Sequence, residues 1–298
     1  MACCDKDVCI CLLARDCENA LLRNIRKVEN ISSNFKNAMI IVIENDSIDN
    51  TKKILYDWSK KNSKVTILSQ DTNEITYPKK QIANNKNPGT SFYRINKMAN
   101  FRNLYMNYIE DNKIKCDYLI VIDIDLDDFS DVNVSEVIDN APSDWGGLFA
   151  NGILYTKFFG KVILRKYYDN YAFLPIGSHK TSYTCKERHE NVDIFRKVFC
   201  KQKYVEVRSA FGGIGIYKYE LIKGLRYYCI PNTCNLEDEV LCEHISINLK
   251  LYEKAKLYVC RDLVSFYSKI KFCLFMLLSN KSFIRIYEVL KQRDFSWR

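Results

Sequence analysis

At 298 residues, with 47% apolar and 13% aromatic residues, the chain can bury a large core, and its composition excludes a disordered or low-complexity protein. The formal charge of +9 is uneven: residues 261–298 hold eight Lys or Arg against three Asp or Glu, leaving +5 there and +4 elsewhere. The apolar run Val8 to Ala14 is too short for a membrane anchor and too acidic in its approach for a signal peptide. The thirteen cysteines include no C-x-x-C pair, which argues for free thiols in a reducing, cytoplasmic setting.

Taken in chain order, the first half alternates strand-like and helix-like segments, which predicts an α/β fold with a mainly parallel sheet and helices on both faces. Val8 to Leu13 reads as a buried strand, and Leu21, Leu22, Ile25 and Val28 follow at helical spacing. Ala38 to Ile43 is a second buried strand. Asn45, Asp46 and Ser47 then read as the cap of a helix carrying Ile48, Thr51, Leu55 and Trp58 on one stripe. Val65 to Leu68 gives a third strand, and the polar stretch Asp71 to Ser91 a long loop expected to border the active site. A helix from Arg94 to Glu110 sets Arg94, Met98 and Arg102 along one side, and Asp117 to Ile122 is the fourth strand. Beyond Pro142, a Tyr- and Lys-rich stretch leads through the strand-like VEVRSAF to Gly212, Gly213 and Gly215. We expect 1–140 to form a nucleotide-binding half and 141–260 the acceptor-binding half of the same domain, with 261–298 a basic amphipathic helical tail able to rest on an anionic membrane surface.

The strongest chemical signal is YLIVIDID, an apolar strand ending in Asp123 and Asp125. Open α/β sheets bind ligands at the carboxyl ends of their strands, and two carboxylates one residue apart can share a divalent cation that leaves positions open for phosphate oxygens. A solvated acidic turn would give the same letters, but four apolar residues running straight into the pair favour a buried strand that delivers them to a site. IVIENDSIDNT places Glu44 and Asp46 at a second strand end, ready for a nucleotide or simply capping a helix. RINKMANFRN supplies Arg94, Lys97 and Arg102 as cations for a diphosphate, or a plain charged helix face. LEDEVLCEHISIN brings Glu237, Asp238, Glu239 and Glu243 as candidate catalytic carboxylates and His244 as a further metal ligand, against the blander reading of a structural His beside a Glu.

In this order the blocks resemble GT-A glycosyltransferases, and more narrowly the cryptococcal capsule mannosyltransferase (CAP59-like) family with its bacterial and viral relatives. The similarity is carried by IENDSIDNT, by Ala99 to Asn103, by Asp123 to Asp125, by Tyr168, Asp169 and Ala172, by Ser209 to Tyr217, and by Cys242, Glu243 and His244. The resemblance implies a GT-A fold, Rossmann-like with a mixed, mainly parallel sheet, and transfer of a hexose from a nucleotide sugar. GDP-mannose is the family precedent for the donor, with a UDP-sugar as the other candidate, Mn²⁺ or Mg²⁺ as the cation, and a glycan or glycoconjugate as acceptor. The fungal members carry an N-terminal membrane anchor, which is not expected for this chain.

The expected site is therefore a cation on Asp123, Asp125 and His244, with Ala14, Arg15, Glu44, Asp46, Arg94, Arg102 and Asp123 around the nucleotide. Gly212 and Gly213 beside Phe211 would let the acceptor approach closely, near Glu237, Asp238, Glu239 and Glu243. No nucleic-acid partner is expected on this reading. Two alternatives stay open at this point: a glycoside hydrolase using two of these carboxylates, which would survive a chelator, and a non-enzymatic nucleic-acid or membrane-surface binder driven by the basic tail, which would survive Asp125→Ala.

Overall fold

The computed structural model describes residues 4–73, 87–131, 134–158, 161–199, 201–234 and 238–267. Four parallel strands form one half of a single sheet: β1 (Cys4–Ala14), β2 (Phe35–Asn45), β3 (Val65–Gln70) and β4 (Tyr118–Asp123), in the order β3-β2-β1-β4. The near-continuous apolar runs follow from burial on both faces. Ile10, Leu12, Ile120 and Ile122 enter one core, while Cys9, Cys11, Leu119 and Val121 enter the other, the period-2 alternation of a strand covered twice. Each fully buried Ile or Leu contributes roughly 1.5–3 kcal/mol to holding the sheet together.

The first core is closed by α1 (Glu18–Ser32), α2 (Thr51–Lys61) and the short α4 (Val134–Asp139). The second lies under α3 (Phe92–Asp111), α5 (Cys185–Phe199), α6 (Tyr219–Ile222) and α7 (Glu243–Tyr252). Helices thus cover both faces, as the sequence predicts. The second half of the sheet is mixed: β4 pairs antiparallel with β9 (Ile214–Lys218), β9 antiparallel with β6 (Trp145–Phe158), and β6 parallel with β10 (Lys256–Tyr267). The strands β5 (Asp128–Phe129) and β8 (Tyr204–Val207) both pair antiparallel with β10, and β7 (Lys161–Tyr167) pairs antiparallel with β6.

Two boundaries differ from expectation. Helix α2 starts at Thr51, and Ile48 stands outside it at 94% exposure, because Asp49 and Glu18 accept the N–H groups of Thr51 and Asn50 in the role foreseen for residues 45–47. Strand β10 crosses residue 260, so residues 261–267 belong to the sheet; the rest of the expected helical tail, 268–298, lies outside the described residues. Among the described residues no helix is long and apolar enough to cross a membrane.

Candidate active site

The chain enters β1, moves outward to β2 and β3, then crosses back to place β4 on the other side of β1. That reversal opens a crevice at the carboxyl ends of β1 and β4, the usual ligand position in an open α/β sheet. Register fixes what meets there: Leu13 lies beside Asp123, and Ala14 beside Glu44. Beyond β4, Ile124 and Leu126 are fully buried while Asp123, Asp125 and Asp127 alternate outward. The turn is held from below by Asn24 of α1, which is fully buried and donates from Nδ2 to the carbonyls of Ile124 (2.9 Å) and Leu126 (2.7 Å). Lys27 pairs with Asp128, and Arg23 lies 4.0 Å from Asp127. Asp125 is exposed, and no described side chain hydrogen-bonds or ion-pairs with its carboxylate. The strongest cationic influence on it comes from Arg94, whose guanidinium also donates to the Gly89 carbonyl at 2.9 Å.

Behind this edge runs a buried charge relay. Arg102 of α3 is 1% exposed and donates from Nε to Glu243 (2.9 Å) and from Nη2 toward Asp123 (3.5 Å). Its guanidinium rests over the rings of Phe211 (5.4 Å) and Tyr227 (5.8 Å), and Nη1 has no partner among the described residues. Burial works to raise the Glu243 pKa, but the Arg102 charge prevails and holds it at about 2. Burial pushes Asp123 up to about 7 against the pull of Arg102. His244 stacks flat on Phe211 at 3.7 Å, and burial followed by the Arg102 charge keeps the imidazole neutral.

Several expected roles are corrected by this arrangement. The trio Asp123, Asp125 and His244 is not assembled: among the described residues no three His, Cys, Asp or Glu side chains converge to hold a metal, and Arg102 and Glu243 stand between His244 and Asp123. Arg102 is a buried brace for two carboxylates, with no surface to offer a diphosphate. Glu44 is likewise fully buried, its oxygens taken by the Ser47 N–H at 2.9 Å and the Ser69 hydroxyl. Asp46, at φ 49°, accepts from Asn45, Lys97 and the N–H groups of Thr72 and Asn73, so it fixes the end of β3. Asp238 is 2% exposed and bound to Arg188 (2.6 Å) and Thr90 (2.8 Å), a tie between α5 and the start of α3. Glu243 is fully engaged with Arg102, whose charge makes it a weak base, and Glu237 lies outside the described residues.

The glycines serve packing. Phe211, Gly212 and Gly213 are buried, and a Cβ on Gly212 (φ 63°) would meet the Ala150 carbonyl oxygen at 2.3 Å, so they offer the acceptor no open platform. Ala14 is buried, while Arg15 keeps part of its surface at the crevice, 3.9 Å from Asp46. Glu239 accepts the Phe92 N–H at 3.0 Å and lines a cleft of about 480 Å³ with Gln70, Thr72, Tyr93, Asn96 and Lys97, between the end of β3 and the outer face of α3.

Sequence reasoning gave no site role to Asn24, Asn248 or Asp169. Asn24 falls on the apolar stripe of Leu21 and Val28, where a lone amide is a visible anomaly. Asn248 is fully buried and donates to Ser209 and the Ala210 carbonyl, both at 2.9 Å, which positions the Gly212 strap. Asp169 sits at φ 67°, and its carboxylate accepts the N–H groups of Gly212 (3.2 Å) and Ala172 (3.3 Å). Burial, then the charge of Asp123, pushes Asp169 up to about 7.

A Rossmann-like sheet with a carboxylate-bearing crevice at its switch point defines the class: a GT-A-type glycosyltransferase fold. The sequence profile of the cryptococcal mannosyltransferase 1 family matches residues 7–244, and the chain belongs to that family of glycosyltransferases. Among solved structures, the chain is similar to the mannosyltransferase PcManGT from Pyrobaculum calidifontis, solved with GDP-Man and Mn²⁺. The TM-score is 0.50 at 9% identity, over 99% of this chain and 66% of PcManGT. It is also similar to S. aureus TarS 1-349, with a TM-score of 0.46 at 13% identity over 97% of this chain and 67% of that one, and to the same protein with UDP-GlcNAc, at 0.47 and 11% over 97% and 68%. The chain thus spans 66% of the length of PcManGT, and at this identity the likeness concerns the fold. No curated protein sequence matches the chain.

Proposed function

We propose that the protein transfers a hexose from a nucleoside-diphosphate sugar to a hydroxyl of a glycan or glycoconjugate, with GDP-mannose the leading donor, and that it requires a divalent cation. The observation that carries this reading is the Asp123–Asp125 pair at the sheet switch point, with Asp125 exposed, without a side-chain partner among the described residues and under the electrostatic influence of Arg94. Its donor set fits Mn²⁺ or Mg²⁺, hard ions that are commonly held by one or two carboxylates plus substrate phosphates, so a cage of three protein ligands is not needed. Asp125 and Asp123 would hold such an ion, which when bound supplies charge neutralisation for the departing diphosphate. Arg94 and Arg15 stand at the same edge to orient phosphate oxygens. The cleft lined by Gln70, Thr72, Asn96 and Lys97 together with Phe92, Phe101 and Leu104 has room for the nucleoside. Arg102 keeps Asp123 aimed at the crevice from behind.

The test is release of nucleoside diphosphate from GDP-mannose and UDP-GlcNAc, each with Mn²⁺ or EDTA. We expect one donor to be consumed, only with the cation, and not by Asp125→Ala. Consumption that persists in EDTA would contradict the metal assignment. Cleavage of an oligosaccharide in EDTA, with neither nucleotide sugar consumed, would establish the hydrolase reading instead.

A further inference from the structure

Of the four carboxylates expected to serve catalysis, Asp238 and Glu243 are tied to arginines, Glu239 accepts the Phe92 N–H beside the cleft, and Glu237 lies outside the described residues, yet glycosyl transfer builds positive charge at the anomeric carbon that a carboxylate can oppose. Beside the Asp123–Asp125 pair, Asp169 has no cation or arginine partner among the described residues. We infer that Asp169 is a catalytic residue that faces the anomeric carbon of the bound sugar, an inference that rests on the transferase reading above.

The argument is geometric. The Gly212–Gly213 strap carries a carboxylate at each end: the Gly212 N–H donates to Asp169 at 3.2 Å, and the Gly213 carbonyl accepts the Asp123 N–H at 2.9 Å. Asp169 is thereby fixed across one dipeptide from the pair proposed to anchor the diphosphate, about where the sugar attached to that diphosphate must lie. The strap is held in place where Gly212 lies close against the Ala150 carbonyl and its own carbonyl accepts from Ser265. Among the described residues two backbone N–H groups are the hydrogen-bond donors to Asp169, fewer than the roughly four lone pairs of a carboxylate. No described cation pairs with it, whereas Glu243 is tied to Arg102 and Asp238 to Arg188. Residues 168–171 each keep part of their surface open, and Tyr168, stacked on Tyr267 at 4.8 Å, walls this side of the crevice. The left-handed backbone of Asp169 is uncommon for a residue with a Cβ, and such strain gathers at functional positions.

In the step itself, the bond from the anomeric carbon to the diphosphate oxygen breaks and its electron pair leaves with the diphosphate. The bond from the acceptor oxygen to the same carbon forms, and the hydroxyl proton passes to the departing phosphate oxygen. In its ionised form Asp169 opposes the positive charge shared by the anomeric carbon and the ring oxygen, and it takes up no proton in the step.

Asp169→Asn tests this, since Asn tolerates the left-handed conformation and retains an oxygen acceptor. The readout is nucleoside-diphosphate release from GDP-mannose or UDP-GlcNAc with Mn²⁺, alongside melting temperature and nucleoside-diphosphate affinity. We expect kcat to fall roughly 10²-fold or more, with KM, affinity and melting temperature near those of the unaltered protein. An unchanged kcat, or a loss matched by lower melting temperature and weaker nucleotide binding, overturns the inference, the latter by making Asp169 structural. If the unaltered protein itself consumes no donor and binds no nucleotide, the transferase reading fails, a result distinct from either.

Discussion

Replacing Arg102 with Met removes the cation that keeps Glu243 ionised inside the protein. Both side chains are almost fully buried and joined at 2.9 Å, so the substitution strands a carboxylate in a poorly solvated place. The magnitude can be approached in two ways. A carboxyl held at about 2 rather than its ordinary 4.5 differs, at about 1.4 kcal/mol per pH unit, by roughly 3 kcal/mol of native stability at neutral pH. Breaking a buried ion pair from one side costs about 3–5 kcal/mol. Because the folded pKa is depressed, that stabilisation is present above about pH 4.5 and is lost as pH falls through about 2. Urea unfolding of Arg102→Met, Glu243→Gln and the double variant, at pH 7 and pH 4, measures it. We expect a loss of about 3 kcal/mol for Arg102→Met at pH 7 and a smaller loss at pH 4, where the stranded carboxyl can take up a proton. The double variant should lose less than the sum of the singles. Strict additivity, or a loss under about 1 kcal/mol, would refute the relay.

Two further outcomes follow from the packing. Gly212→Ala places a methyl 2.3 Å from the Ala150 carbonyl oxygen at a backbone angle that disfavours side chains, so it should cost about 2 kcal/mol or more and lower the melting temperature by several degrees. Asp238→Asn and Arg188→Met should each destabilise the fold by about 3 kcal/mol in urea, with the double variant little worse than either, and should leave kcat for donor consumption within a few fold; a kcat collapse with unchanged stability would restore Asp238 to the catalytic set.

The parallel half of the sheet was legible because β1, β2 and β4 are covered on both faces, so their apolar runs stand out and the acidic residues after Ile122 mark where cover ends. The antiparallel entry of β9 between β4 and β6 was not legible. Its five residues, IGIYK, carry no local sign of partners so distant in sequence. The site divided the same way. Asp123 and Asp125 lie where the strand pattern put them, but whether a charge faces solvent or core depends on helix phase. Arg102 falls seven residues after Ile95 and three after Ala99, both buried, so the 3.6-residue period already assigned it to the core. Glu44 and Asp238 were misjudged because their partners, Ser69, Arg188 and Thr90, are brought to them only by tertiary structure. Asp169 owes its position to a left-handed backbone that its side-chain type permits but does not announce.

The central claim is that Asp125 serves a cation that joins a nucleoside diphosphate to the end of β4. Isothermal titration of GDP and UDP into the protein, with Mn²⁺ and with EDTA, tests it directly when repeated on Asp125→Ala. The account predicts saturable binding of one nucleotide with Mn²⁺, weakened at least about tenfold, or about 1.4 kcal/mol, by EDTA and by the substitution alike. Equal affinity with and without the cation, or binding unchanged in Asp125→Ala, would contradict it.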